Sequence, residues 1–311
     1  DMSDENYARI DLHKHVVDGI VLKAADGRPM YREADLIDVW FDSGSMPYAQ
    51  WHYPFENRDR VEGPDGGLAF PADFIAEGVD QTRGWFYTLH AIATMVFDQV
   101  AYKTVVSNGL VLDKNGQKMS KRLGNAVDPF ETLAQYGPDA TRWYMLTNAQ
   151  PWDNLRFDTE GIGEVQRKFF GTLHNTYAFF ALYAGIDGWT PESEAPAVAD
   201  RPELDRWILS RLHTCIAGVE EAFDSFEPTR AGRLVQSFVV DDLSNWYVRL
   251  GRRRFWKSDS DTDKAAAYAT LHECLRTVSL LASPIAPFFM DSLWQDRGVQ
   301  IPCTLPTGRP Y

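Results

Sequence analysis

Apolar positions along the chain fall into two regimes. Up to about residue 127 they come in short runs broken by Gly, Pro and Asp; beyond it they recur three and four residues apart over long stretches. Short runs read as strands and sustained 3.6-residue periods as amphipathic helices. The pattern predicts a strand-like run from Leu36 to Phe41 that breaks at Asp42-Ser43-Gly44. It predicts a short buried strand from Pro71 to Gly78 and a further strand from Lys103 to Leu112. Between the last two, DQTRGWFYTLHAIATMVFD is helical, with Asp80 as N-cap and Trp85, Leu89, Ile92, Ala93 and Val96 on one stripe. Strand, helix, strand is a βαβ unit, which crosses over right-handed onto a parallel sheet. Ligands of such sheets sit beyond the carboxyl ends of the strands. Glu77, Gly78, Asp80 and the Lys118–Arg122 loop all fall at those ends.

Residues 1–38 hold too few apolar positions for a core of their own; Ile20–Leu22 predicts a short strand and Asp26-Gly27 a turn. Residues 56 to 69 read as a surface excursion. From Asp128 the chain turns helical: Asp128-Pro129-Phe130-Glu131 combines an N-cap, a first-turn proline and an acid three residues after the cap. Gly137-Pro138 closes that helix, and a second runs from Asp139 to Thr147. NAQPWDNLRFD reads as a loop and Glu160–Ala184 as a long helix. Further helices span Glu203–Ser225, Pro228 to about Trp256, Asp263–Ala282 and Phe288–Gln295, and long helices with short joints predict an antiparallel bundle. The expected fold class is therefore α/β plus all-α: a partial parallel sheet over 39–127, a connecting helical region over 128–160 and a helix bundle over 161–311.

Composition narrows the possibilities. In 311 residues no apolar run approaches the ~20 needed to span a membrane, and the start DMSDENYARIDLHKH lacks a signal-peptide layout. Cys215, Cys274 and Cys303 are far apart and odd in number, which argues against a disulfide framework or a zinc site and for a reducing cytoplasm. The seven histidines show no metal spacing, so no protein-bound metal is expected. A net charge of −13 makes the chain a poor general binder of nucleic acid, and any such role needs a local basic surface.

Three stretches carry candidate chemistry. In NGLVLDKNGQKMSKRLGN (Asn108–Asn125), a turn is followed by Lys118 and Lys121 in a loop free to swing, and lysine ammonium groups suit polyphosphate; an ordinary solvated hairpin is the alternative. EGVDQTRGWF (Glu77–Phe86) gathers acids, an amide and an indole at one strand-to-helix turn. It reads as a small-molecule pocket or, equally, as a capped helix with Trp85 in the core. SNWYVRLGRRRFWK (Ser244–Lys257) interleaves Arg249, Arg252, Arg253 and Arg254 with aromatics, which suits an RNA backbone and stacked bases. Pairing of some of these arginines with acids of neighbouring helices is the alternative.

These residues carry a resemblance. KMSKR at 118–122 resembles the KMSKS signature of class I aminoacyl-tRNA synthetases, with Arg122 where the last serine is usual. VWFDSG at 39–44, EGVDQTRGWF at 77–86 and DLSNWYVRLGRRRFW at 242–256 resemble the isoleucyl branch of that family over essentially the whole chain. The resemblance implies a Rossmann-like nucleotide-binding fold, of which this chain would hold the second half, followed by an anticodon-binding bundle. It implies that Lys118 and Lys121 bind ATP phosphates, with Mg²⁺ accompanying the nucleotide, while the carboxylate of isoleucine attacks the α-phosphate. Glu77, Gly78, Asp80, Gln81 and Trp85 would hold the aminoacyl-adenylate, Trp40 and Trp85 would wall the amino-acid pocket, and Arg249, Arg252, Arg253 and Arg254 would meet tRNA(Ile). A monomeric parent enzyme is implied. The family's other ATP signature, His-x-Gly-His, is absent from this sequence, and residues 1–38 look like the return limb of an inserted editing domain. The expectation is an interior or C-terminal-side piece unable to form the adenylate alone. A valyl or leucyl relative, or a tRNA-binding module without catalysis, remains the alternative.

Overall fold

The computed structural model describes the chain except residues 1, 2, 8, 12, 36, 37, 64–66, 258, 259 and 296–311, and for residues 4, 7 and 121 it describes only the main chain. Two compact units emerge, one of Asp1–Ile75 with Asp80–Thr104 and one of Ala76–Val79 with Val105–Tyr311.

The elements up to residue 108 are α1 (Asp4–Tyr7), α2 (Lys14–Val17), β1 (Leu22–Lys23), β2 (Pro29–Met30), α3 (Val39–Gly44), α4 (Met46–Ala49), β3 (Ala72–Gly78), α5 (Trp85–Phe97) and β4 (Tyr102–Asn108). β1 and β2 form an antiparallel hairpin around the expected Asp26-Gly27 turn, and β3 pairs with β4. Tyr48, Val61, Phe70, Leu89, Ile92, Ala93 and Ala101 make the core of the first unit. Val61 therefore anchors a stretch that reads in sequence as a surface excursion.

Three other expectations for this unit are corrected. The run from Leu36 to Phe41 is not a strand: Val39–Gly44 is helical, and residues 36 and 37 lie outside the described residues. The Asp38 carboxylate accepts the Trp40 N–H at 2.8 Å, satisfying one of the donors a new helix leaves free. Pro71–Gly78 does form a strand but not a buried one, since Asp73, Phe74, Ala76 and Glu77 are exposed on a sheet of two described strands. Asp80 is not the N-cap of α5, because Val79–Arg83 is a 3₁₀ turn and the α-helix begins at Trp85. The buried face of α5 is Phe86, Leu89, Ile92 and Ala93, while Val96 is 62% exposed.

The second unit continues with β5 (Val111–Leu112), α6 (Pro129–Tyr136), α7 (Pro138–Asn148), β6 (Leu155–Arg156), α8 (Thr159–Val165), α9 (Gly171–Asp187), α10 (Glu203–Asp224), α11 (Pro228–Ser237), α12 (Arg249–Trp256), α13 (Asp261–Ala282) and α14 (Pro287–Gln295). π-helical turns at Gln166–Phe170 and Phe238–Val248 join α8 to α9 and α11 to α12, so the two long helices expected there persist with widened turns. α6 starts as its sequence predicts, with the Asp128 carboxylate accepting Phe130 N (2.7 Å) and Glu131 N (3.2 Å). The strand expected over Lys103–Leu112 splits at Gly109-Leu110. Its second piece, β5, pairs parallel with β6, which lies inside the stretch read as a loop.

From α7 onward the helices share one apolar core, in which Trp143 stacks on Phe169 at 4.2 Å between centroids. Its polar centre is Asp205 of α10, 0% exposed. Arg254 of α12 grips that carboxylate with both terminal nitrogens (2.6 and 2.7 Å) and turns its Nε to Asp263 of α13 (3.0 Å). Tyr247 donates its hydroxyl to Asp205 as well (2.7 Å). Burial, then the Asp205 charge, push the Tyr247 phenol well up, so it stays a donor. A paired guanidinium and carboxylate this dry cost little while both are present and a great deal when one is removed. Arg254→Ala should therefore cost about 3–5 kcal/mol in urea unfolding, and Arg254→Lys should recover only part of that, because an ammonium cannot make the fork. A loss below about 1 kcal/mol, the level of an exposed pair, would contradict the buried-pair reading.

His272 of α13 lies against Phe180 and Trp189. Burial, aided by the nearby Arg276 charge and opposed by Glu192, pushes its imidazole down to about 4 from the usual 6.5. Between those two values the unfolded chain binds a proton that the folded chain refuses, so stability falls as pH drops through that window, by up to about 3 kcal/mol. Urea unfolding from pH 7.5 to 4.5 should show that step in the difference between the native chain and His272→Gln; a flat difference would refute it.

Candidate functional site

The candidate residues rest on three local structures, each of which is built from its own part of the chain. In the first unit, Trp40, Asp80, Gln81 and Trp85 gather where α3 meets the turn before α5. Trp85 donates its indole N–H to the Ser43 carbonyl at 3.0 Å, tying the start of α5 to α3. Its own backbone N–H goes to the Gln81 side-chain oxygen at 2.9 Å, so Gln81 performs the capping that sequence reading gave to Asp80. Gln81 Nε2 reaches Asp80 Oδ2 at 3.4 Å. Gly84 allows the arrangement: a Cβ there would sit 2.8 Å from Gln81 Oε1 and 3.2 Å from the Trp40 ring. Trp40 is 45% exposed.

Glu77 and Gly78 end β3 within the segment assigned to the second unit, and Glu77 is exposed. The lysine-bearing stretch also belongs to this unit. It is laid down by β5, zipped to residues 151–157 through Gly109 N to Pro151 O (2.8 Å), Leu155 N to Leu110 O (2.9 Å) and Phe157 N to Leu112 O (2.8 Å). The Asn154 side chain accepts Leu110 N at 2.9 Å. Gly109 is required at this crossing, where a Cβ would fall 2.2 Å from the Asp153 carbonyl oxygen. The chain then turns at Asp113–Gly116 and returns, with Lys118 bridging back to Leu112. Lys118 is exposed, while Met119 packs against the helical core. The Lys121 side chain lies outside the described residues, although its main chain opens a 3₁₀ turn, Lys121–Leu123.

The turn is internally bridged in this structure. Asp113 and Asn125 hold it: the carboxylate accepts from Asn115, Gln117 and Asn125, and Asn125 accepts Ser120 N at 2.9 Å. The Asn125 amide, then the Gln117 N–H, keep the Asp113 carboxyl below its usual range. Sequence reading passed over both residues. The Asp-x-Asn-Gly turn was the only hint, since Asx side chains fold back on the main chain two and four residues on.

On α12, Arg249, Arg252 and Arg253 are exposed and make no ion pair among the described residues. Trp246 and Trp256 stand exposed beside them (59% and 48%). Arg254 does not share that face, being committed to Asp205 and Asp263. Two other basic residues of this region also have partners within the chain. Arg230 pairs with Glu221 (2.8 Å), and Arg233 donates to the carbonyls of Thr147 (2.8 Å) and Asn148 (3.1 Å) at the end of α7.

With these three structures described, the likeness to known proteins is informative. The family model described as tRNA synthetases class I (I, L, M and V) matches residues 1–158. The chain belongs to the class I tRNA synthetases. A second model, the anticodon-binding domain of tRNA ligase, matches residues 205–307 and so takes in α12 with its arginines. Among curated relatives, the isoleucine–tRNA ligase of Porphyromonas gingivalis is 65% identical over 294 residues, 94% of this chain and 26% of that protein. That of Thermus thermophilus is 47% identical over 92% of this chain and 27% of its own length. The chain thus spans about a quarter of the curated synthetases it matches. Among solved structures, the LeuRS of Agrobacterium radiobacter K84 in a ternary complex with tRNA and LeuAMS aligns with a TM-score of 0.68 at 20% identity, over 88% of this chain and 34% of that one. The methionyl-tRNA synthetase of Mycobacterium tuberculosis with methionyl-adenylate aligns at 0.59 and 22%, over 72% of this chain and 43% of that one. These two show the synthetase fold alone.

Proposed function

We infer that the chain forms part of a cytoplasmic, monomeric isoleucine–tRNA ligase that joins isoleucine to tRNA(Ile) at the expense of ATP. The 65% identity to a ligase of that name, maintained over 294 residues, carries this reading. The activity belongs to the full-length enzyme, of which residues 39–127 would supply part of the nucleotide-binding sheet and 161–311 an antiparallel anticodon-binding bundle. In the same reading, residues 1–38 return from an inserted editing domain and 128–160 connect sheet to bundle.

The chemistry runs in two balanced steps. A carboxylate oxygen of isoleucine attacks the α-phosphorus of ATP, an acyl–phosphate bond forms, and the bond to the β-phosphate breaks, releasing pyrophosphate. A terminal ribose hydroxyl of the tRNA then attacks the acyl carbon, and AMP leaves as the ester forms. Neither step needs a covalent bond to the protein; positioning and charge neutralisation supply the acceleration. Lys118 and Lys121 would meet the triphosphate. Glu77, Gly78, Asp80 and Gln81 would hold the adenylate, and Trp40 with Trp85 would wall the side-chain pocket. The bond from Trp85 Nε1 to Ser43 O supports the last role, because it uses up the polar edge of the indole and leaves apolar surface for a branched side chain. Mg²⁺ would arrive on the phosphates: among the described residues no cluster of His, Cys, Asp and Glu could hold it alone. Nor is any described helix long and apolar enough to cross a membrane.

Pyrophosphate exchange by the full-length enzyme tests the reading. Exchange should follow isoleucine with a kcat/KM about 100-fold above valine, the discrimination one methylene allows, and Lys118→Ala should remove most of it. Higher efficiency with valine would overturn the assignment.

The tRNA face is tested separately. Replacing Arg249, Arg252 and Arg253 with Gln should weaken tRNA binding and flatten its log–log salt dependence by about 0.7–0.9 for each phosphate that the arginines neutralise. An unchanged slope would remove these arginines from the RNA interface.

A further inference from the structure

We propose that Asp113 and Asn125 form a latch that presets the lysine turn, making both of them positioning residues for the Lys118 ammonium. The inference rests on the ATP reading of that lysine. Two short side chains bridge the turn from both ends. Asp113 Oδ1 accepts Asn115 N (2.9 Å) and Gln117 N (2.8 Å), and Asp113 Oδ2 accepts Asn125 Nδ2 (2.9 Å). Asn125 Oδ1 accepts Ser120 N (2.9 Å), while Nδ2 also reaches the Lys118 carbonyl (3.3 Å). Lys118 is thus enclosed on its main-chain side: its carbonyl faces Asn125, its neighbour Met119 packs on the core, and its strand-like bridge to Leu112 is stapled by Asp113 N to Gln117 O (2.8 Å).

The chemistry of the pair is specific. Asp113 is an acceptor only, and Asn125 must both donate and accept, since it joins a carboxylate to a backbone N–H. Alanine at either position leaves donors of the turn unpaired and returns the loop to the freedom its glycines permit. Loop ordering is then charged to ATP binding, whereas isoleucine, held by other residues, is indifferent.

The orientation of the pair supplies the test. Asp113→Asn sets one amide against another, and Asn125→Asp sets one carboxylate against another. Made together, the two changes restore an amide–carboxylate pair with net charge unchanged. In isoleucine-dependent pyrophosphate exchange by the full-length enzyme, each single change should raise the KM for ATP about tenfold, the scale of one lost charge-assisted hydrogen bond, with the KM for isoleucine unmoved. The double change should return to within about threefold of the native value, a coupling that independent sites do not show. Hydrogen exchange at residues 114–123 of the chain should quicken in both singles and slow again in the double, while α13 stays protected. Additive losses in the double, or singles with native KM for ATP, would overturn the latch. If the native enzyme shows no ATP-dependent exchange but the hydrogen-exchange pattern holds, the functional reading fails and the latch stands.

Discussion

The parallel pairing of β5 with β6 is the constraint on which the candidate site of the second unit depends. Two residues against two make a weak ladder, and β5–β6 persists because its surroundings over-determine it. Leu155 and Phe157 are buried in the helical core, Tyr144 donates to the Arg156 carbonyl at 2.9 Å and accepts Asp158 N at 3.1 Å, and Gly109 lets the strand cross the 153 carbonyl. Everything that follows β5 is positioned from that platform: the Asp113 turn, the Lys118 bridge and the inward Met119. A lysine at the end of a strand that is itself bolted to a core is a different object from a lysine on a surface hairpin, although the two read alike in sequence.

Charge is distributed by the same logic. The chain is strongly acidic, yet α11 and α12 concentrate arginines, and the structure divides these between two tasks. Arg233 satisfies carbonyls at the end of α7, where helix geometry leaves them without partners. Arg254 neutralises the one carboxylate buried at the junction of α10, α12 and α13. What remains is a small exposed set beside two exposed indoles, a surface on which positive charge and aromatic faces coincide. Counting basic residues overstates such a face; sorting them by partner gives its true extent.

Legibility in the sequence followed the range of the forces involved. Helices with long stripes and local caps, such as Asp128 over α6, were readable because period and cap lie within a few residues of each other. The Lys118 turn and the strand-to-helix corner at Glu77–Trp85 were readable for the same reason. α3 was not, because a six-residue helix shows too little period to separate it from a strand, and its Asp38 cap lies inside the apolar run. β6 could not be read at all: two residues have no period, and its strand character comes from β5, over forty residues away. The exchange of roles between Asp80 and Gln81 turned on one 3₁₀ turn, which moves the helix start by a few residues and changes which side chain reaches the first free N–H. Arg254 looked like its neighbours because nothing local marks it; Asp205, its partner, is 49 residues distant.

Fixing the main chain while leaving the Lys118 ammonium free would be a sensible division of labour for a turn that, as proposed, meets a triphosphate. An exposed lysine carries up to about 2 kcal/mol of side-chain entropy, and in the proposed reaction its stem would follow phosphate oxygens whose positions change as the α–β bond breaks. Ordering the stem in advance would forfeit that adaptability, whereas a disordered backbone would add several residues' worth of entropy to each binding event. Hydrogen bonds of Asp113 and Asn125 with the turn end on N–H and C=O groups and touch no described lysine side chain, so they would remove the second cost without incurring the first. In the same reading Asp113 would also place an anion close to the ligand's own charge. Saturation by three donors, two backbone N–H groups and the Asn125 amide, would make that anion tolerable, because its lone pairs are engaged within the loop.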